Sequence, residues 1–216
     1  MQLIEVWQSA RTREVPASWH VVKRLIDVSV AALATLLALP VIALAALAIA
    51  VVDRGSPFYA QDRVGRYGRR FRMFKLRTMV EGAHDMREDI LHLNEADGPV
   101  FKIKDDPRLH PLGAFLRRTS IDELPNLFNV LRGEMSLVGP RPPLPSEVEH
   151  YGPYEMRRLT VMPGITCFWQ INGRCNVSFE EWMRLDNLYI DTWSPLLDLW
   201  ILVKTIPAVI RKDGAH

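Results

Sequence analysis

Residues 28–52 read VSVAALATLLALPVIALAALAIAVV, an uncharged run of 25 positions with one proline, Pro40, near its middle. As a straight helix it would extend about 37 Å, enough to cross a hydrocarbon core of about 30 Å. A single spanning helix is therefore one reading. Pro40 supports another, because an interior proline removes a backbone hydrogen bond and clashes with the preceding turn, so the helix should kink or break at its centre. The flanks bear on the same choice. Lys23 and Arg24 precede the run and Arg54 follows it. Next come Arg63, Arg66, Arg69, Arg70, Arg72, Lys75 and Arg77, within fifteen residues that contain no acid. Positive residues gather on the cytoplasmic side of a membrane, so both ends are expected there. A re-entrant helix that bends at Pro40 and leaves by the face it entered meets both observations. It would place residues 10 and 216 on one side.

The first twenty residues are polar and charged, with Glu5, Arg11, Arg13 and Glu14, and lack the apolar core and small-residue cleavage site of a secretory signal. The division expected is residues 1–22 as a cytoplasmic segment, 23–53 as the helix-break-helix, and 54–216 as one globular domain with a sizeable core. Two cysteines, Cys167 and Cys175, imply no disulfide framework. The six histidines form no zinc-ligand cluster. Neither a P-loop nor a G-x-G-x-x-G fingerprint occurs. The net charge of +2 is concentrated in the arginine-rich stretch, followed by an acidic one at Glu81, Asp85, Glu88, Asp89, Glu95 and Asp97. The acidic stretch reads as a solvated helix face or mobile loop without chemistry.

Beyond Asp53 the pattern is α/β or α+β. Residues 57–61 and 71–77 have short-strand character with Gly65 and Gly68 between them, and an extended chain would project Lys75 and Arg77 from the same face. Residues 99–111 read as irregular. Leu124, Leu127, Phe128 and Leu131 then recur at helical spacing up to Gly133. In the last third, Pro163-Gly164 and Asn172-Gly173 signal turns, the second presenting Arg174. Ser178-x-x-Glu181 opens a helix to about Ile190, and Ser194-Pro195 opens another. That last helix is apolar nearly all round yet too short to span, so it is either core or interfacial.

The chemistry is concentrated at residues 117–126, RRTSIDELPN, and 136–142, SLVGPRP. Asp122 and Glu123 stand beside Arg117 and Arg118, a combination suited to holding a metal-bound diphosphate. Ser120-x-x-Glu123 is equally a capping box, and an Asp-Glu pair in a first turn is ordinarily a helix-dipole feature. The company of arginines, and Pro125 where a plain helix start would avoid it, favour a site.

With these residues in view, the chain resembles the bacterial sugar transferase family, the monotopic polyprenyl-phosphate hexose-1-phosphate transferases. The likeness runs from about Lys23 to Arg211 and rests on Lys23-Arg24-Leu25-Ile26-Asp27, Phe74-Lys75-Leu76-Arg77-Thr78-Met79, residues 118–125, residues 136–142, and residues 163–174. One departure is Cys167, where glycine is usual in the family. The resemblance implies a small cytoplasmic catalytic domain of α/β (α+β) class, with a re-entrant helix bent at Pro40 and interfacial amphipathic helices, on the bacterial inner membrane. It implies transfer of a sugar 1-phosphate from a UDP-sugar to undecaprenyl phosphate, with release of UMP. Asp122 would be the nucleophile and Glu123 a ligand for Mg²⁺ or Mn²⁺. Lys75, Arg77, Arg117, Arg118, Arg141 and Arg174 would contact phosphate or nucleotide sugar, and Asp186 would orient the site. A surface salt bridge is nearly as good a reading of Asp186. The partners expected are the UDP-sugar, undecaprenyl phosphate and membrane lipid, with no nucleic acid; whether a homo-oligomer forms, and which sugar is transferred, stay open. A metal-dependent lipid-diphosphate phosphohydrolase and an inert membrane adaptor are the alternatives.

Overall fold

A computed structural model describes residues 14–83, 85–171 and 177–211. Helix α1 spans Ala17–Asp53, beginning well before the apolar run, and it is not divided at Pro40. The expected break is absent as a gap in the helix. An interior proline costs one backbone bond and bends the axis, while the turns on either side keep theirs. One face carries small or branched residues, Ala31, Ala38, Ile42 and Ile49, buried against the remaining chain. The other carries Leu33, Leu36, Leu37, Leu44 and Leu47, each more than 60 % exposed. Leaving one such side chain in water forgoes roughly 1.5–3 kcal/mol, so covering this stripe with a nonaqueous surface would be favourable.

The charges before the run do not serve topology alone. Lys23 pairs with Asp198 and donates to Val138 O at 2.9 Å. Arg24 donates to Val130 O (2.7 Å) and Leu131 O (2.9 Å). At the far end, Asp53 pairs with Arg77 at 2.8 Å. Both ends of α1 are thus fastened to the same body.

Strands β1 (Phe58–Val64) and β2 (Arg70–Leu76) form an antiparallel hairpin from Phe58↔Leu76 to Val64↔Arg70. Its turn needs left-handed backbone at Tyr67 (φ 56°) and Gly68 (φ 76°). Helix α2 (Pro111–Thr119) lies where the sequence reading ended its irregular stretch. Pro111 at its first position, with Leu112, Phe115 and Leu116 at helical spacing, was the signal for it.

Ser120 corrects the capping-box expectation. It closes α2 in left-handed conformation (φ 57°), its N–H donating to Arg117 O, and its side chain caps nothing. A single 3-10 turn, Ile121–Glu123, follows. Helix α3 (Asn126–Arg132) starts only after Pro125, whose missing N–H costs nothing there. From α3, Asn129 accepts from Phe74 N (3.1 Å) and donates to Arg72 O (2.8 Å), locking the helix to β2.

Strand β3 (Ser136–Val138) pairs in parallel with β4 (Gly164–Thr166). The class is mixed helix and strand as expected, with two separate pairs of strands among the described residues. Gly139 and Gly164 sit where the two segments cross. A Cβ on Gly139 would stand 2.3 Å from Met162 O, and one on Gly164 would stand 2.1 Å from Gly139 N.

Helix α4 (Phe179–Thr192) is capped by Ser178, which accepts from Glu181 N, as the sequence indicated. Helix α5 (Pro195–Arg211) resolves its own ambiguity by dividing its faces. Asp198 and Ile201 are buried, while Leu196, Leu199, Trp200, Val203 and Ile206 are exposed.

Candidate active site

A cavity of about 1450 Å³ opens between the end of β2, the turn joining α2 to α3, and the residues following β3. The reversal at Ser120 delivers Asp122 and Glu123 to its wall. Arg117, from the last turn of α2, donates through Nε to Thr78 Oγ1 at 3.1 Å. Lys75 Nζ donates to Glu123 Oε1 at 2.8 Å, and Arg141 Nη2 reaches the same oxygen at 3.2 Å. Six of the residues named from sequence therefore line one cavity: Lys75, Arg77, Arg117, Asp122, Glu123 and Arg141.

The two carboxylates differ in electrostatics. Burial alone would raise Glu123, but Lys75 and then Arg141 outweigh it and hold the carboxyl well below the usual range. Asp122 is 6 % exposed, and among the described residues its carboxylate has no hydrogen-bond donor. Burial pushes it up to about 6; Lys75 opposes the shift, and the charge on Glu123 adds to it. Lys75 and Arg117 are lowered, chiefly by burial, while Glu123 raises Arg141. The pair titrates as a unit in which Glu123 holds the charge more firmly.

The other candidates are placed differently. Arg77 lines the cavity with Lys75 but turns to Asp53, whereas Lys75 turns to Glu123. Strand β2 ends at Leu76, and Arg77 lies just beyond its alternation. Arg118 is exposed and does not line the cavity. Asp186 is not at the surface. It is 1 % exposed, outside the cavity lining, and paired with the equally buried Arg158 at 2.8 Å. Burial raises its carboxyl to about 6 against the pull of Arg158. Arg174, with its Asn172-Gly173 turn, and Cys175 lie outside the described residues. Cys167 is buried, with its Sγ toward Gln170 Oε1 at 3.1 Å, and burial raises its thiol.

Several residues at or behind the site had not been singled out. The acids of the acidic stretch are exposed, as expected of a solvated segment, yet Glu81, Glu95 and Asp97 also line the cavity and Asp97 accepts from Phe179 N at 2.9 Å. Arg63 reaches Pro142 O at 2.9 Å, and Arg158 reaches Arg141 O at 2.8 Å. Arg63 stood out only as one of a basic run. Nothing in the local sequence marked Arg158.

For a divalent cation, the donor set is limited but chemically suitable. No group of three or more His, Cys, Asp or Glu gathers among the described residues. Glu123 Oε2, however, carries no hydrogen bond among them, and Asp122 stands beside it. Mg²⁺ takes hard oxygen donors and commonly only one or two carboxylates, the rest coming from substrate phosphates and water. The site fits a cation held in that way.

A sequence profile of bacterial sugar transferases matches residues 18–212, nearly the whole chain. The chain belongs to the bacterial sugar transferase family. Among its relatives is a protein named galactosyl transferase CpsE of Streptococcus agalactiae, 47% identical over 164 residues, covering 76% of this chain and 36% of that protein. The exopolysaccharide production protein ExoY of Rhizobium meliloti is 40% identical over 198 residues, 90% of this chain and 88% of its own. A protein of Caulobacter vibrioides named UDP-glucose:undecaprenyl-phosphate glucose-1-phosphate transferase is 40% identical over 202 residues, 90% and 72% of the two chains. This family member spans about a third of the length of CpsE and of the UDP-galactose-lipid carrier transferase of Erwinia amylovora.

Proposed function

We propose that this chain transfers a sugar 1-phosphate from a UDP-sugar to a polyprenyl phosphate, undecaprenyl phosphate in the bacterial setting, as a first membrane step of polysaccharide or glycoconjugate synthesis. The observation that carries this reading is the division between the two adjacent carboxylates. Glu123 is committed to Lys75 and Arg141, while Asp122 is buried beside them without a donor. An anionic nucleophile approaches a diphosphate only where cations offset the repulsion, and Lys75, Arg117 and Arg141 supply them around Asp122. The relatives' names supply the substrate classes.

In the first step an Asp122 carboxylate oxygen attacks the phosphorus that bears the sugar. The bond from that phosphorus to the bridging oxygen breaks, and UMP leaves with the oxygen. In the second step an oxygen of the polyprenyl phosphate attacks the same phosphorus, and the bond to Asp122 breaks. The lipid diphosphosugar departs and the carboxylate is restored. Glu123, through its unengaged oxygen, would hold a Mg²⁺ or Mn²⁺ ion that offsets diphosphate charge. Because Asp122 must be ionised to attack and burial holds it up to about 6, UMP release should climb with pH through about 6. A rate already flat from pH 4 to 7 would remove Asp122 from the attacking role.

We place this reaction on the cytoplasmic face, on a helix that enters and leaves by that face. Support comes from the anchors. A straight helix would hold Arg24 and Asp53 about 43 Å apart. Yet Arg24 reaches Val130, next to the Asn129 that binds Phe74, while Asp53 reaches Arg77, only three residues along from Phe74. In a background lacking Cys167 and Cys175, single cysteines at Glu14 and Glu95 should both resist an impermeant thiol reagent added to intact cells. Labelling at Glu14 alone would establish a spanning helix. Pro40→Leu restores the missing bond and should shift the protein toward that form.

The deciding assay screens UDP-sugars for UMP release with and without undecaprenyl phosphate in detergent. Sustained release only with the acceptor supports transfer. Sustained release without it would favour a hydrolase of the diphosphate bond; no release with any UDP-sugar would favour the lipid-diphosphate phosphohydrolase if phosphate is freed from a polyprenyl diphosphate, and the adaptor if it is not.

A further inference from the structure

Residues 139–143 have an unusual problem of attachment. Pro140, Pro142 and Pro143 carry no N–H, so the segment holding Arg141 can be fastened almost only through its carbonyls. The carbonyls of Val138 and of residues 140–143 are each held by a donor from another part of the fold. Val138 O receives Lys23 Nζ (2.9 Å) and Tyr189 OH (3.2 Å), and Pro140 O receives Gly164 N (2.9 Å). Arg141 O receives Arg158 Nη2 (2.8 Å), Pro142 O receives Arg63 Nη1 (2.9 Å), and Pro143 O receives Val64 N (3.0 Å).

Arg158 stands apart among these donors. Its side chain is fully buried and it does not line the cavity, so it is shielded from anything bound there. Its guanidinium is committed on several sides: Nη1 donates to Tyr151 OH at 2.7 Å, Nη2 lies 2.8 Å from Asp186, and the ring of Trp182 lies 4.9 Å away. A charge so thoroughly removed from water is costly to hold, and in return its planar fork fixes one atom of the site, the Arg141 carbonyl. That bond sets the backbone from which the Arg141 side chain crosses to Glu123.

We infer that Arg158, held by Asp186, Tyr151 and Trp182, is a positioning residue that fixes Arg141 for its contact with the transferring phosphate. This inference rests on the proposed transfer reaction. Asp186 then serves the site without touching substrate, through two successive contacts.

The test is a double-mutant cycle on the full-length protein in detergent, with UMP release from UDP-sugar and undecaprenyl phosphate as readout and thermal unfolding alongside. Arg158→Lys keeps the positive charge facing Asp186 but loses the fork. It should lower kcat/KM at least about tenfold, since a displacement of the order of 1 Å suffices for such losses. In an Arg141→Ala background the same change should have almost no further effect, because it acts through a side chain already removed. A purely structural role would instead multiply the two losses. If Arg158→Lys does not fold, Tyr151→Phe removes one hydroxyl from the guanidinium's support and enters the same cycle. Multiplying losses, or a folded Arg158→Lys of normal kcat/KM, overturns the inference. Absence of UMP release from the wild type would overturn the transfer reaction instead, and is distinguishable because no variant is then involved.

Discussion

Asp122→Asn should abolish UMP release and, at neutral pH, make the protein more stable. The loss follows from chemistry: a neutral amide lacks the carboxylate that must attack phosphorus, so neither a covalent phosphosugar nor net transfer can form. The gain follows from burial. Folding raises the Asp122 carboxyl to about 6, against about 3.9 for a free aspartate, so the native state binds this proton more tightly than the unfolded one. Its contribution to stability is therefore fully present below about pH 3.9 and is lost as pH rises through about 6. Above that, wild type carries a buried charge costing on the order of 2–3 kcal/mol, and the asparagine does not. The variant should melt a few degrees higher at pH 8, with the advantage fading toward pH 4. Wild type incubated with UDP-sugar and no lipid should gain the mass of one sugar phosphate on the peptide containing Asp122, releasing about one equivalent of UMP if breakdown is slow. An adduct that survives in Asp122→Asn would falsify the covalent assignment and leave direct attack by the lipid phosphate.

The adjacent substitution should have the opposite sign. Glu123→Gln removes the carboxylate that Lys75 and Arg141 share, leaving two confined cations without their anion. Breaking such a pair from one side costs about 3–5 kcal/mol when fully buried; the partial exposure of these side chains argues for the lower end. The Glu123 carboxyl is held low in the folded state, so its contribution is present above about pH 4.5 and falls away as pH drops. The destabilisation of Glu123→Gln should accordingly be largest at neutral pH and diminish in acid, opposite in sign to the stabilisation by Asp122→Asn, which fades in acid as well. Activity should be low and should rise with Mg²⁺ concentration, whereas EDTA should silence the wild type. Wild-type stability in Glu123→Gln at pH 7 would dissolve the Lys75–Glu123–Arg141 arrangement. Full activity in EDTA would take the metal out of the reaction.

That two neighbouring carboxylates should respond so differently was not readable from Asp122-Glu123 in the chain. The sequence marked the pair by its arginines and Pro125, and it marked Arg141 by the prolines on either side. It could not say which carboxylate Lys75 would reach from a hairpin 48 residues away in sequence. The capping-box reading failed for a related reason. Ser120-x-x-Glu123 satisfies the local rule for a helix start, but α2 already ends there, and a left-handed serine closes it. Local pattern cannot tell the end of one helix from the start of the next when the two lie this close.

Sequence alone determined the elements whose signals are local. The apolar length of α1, the β1–β2 hairpin, the Ser178 cap and the proline-bounded Arg141 all follow from periodicity, turn chemistry and restricted backbone. Tertiary structure alone decided the long-range pairings: Asp53 with Arg77, Lys23 with Val138, Glu123 with two cations, and Arg158 behind Arg141. The physical reason is that burial sets the worth of a charge. Whether Asp186 is a surface partner or a fully enclosed anion, and whether Asp122 or Glu123 keeps its proton longer, depends on how much water the fold removes and which distant cation it brings near.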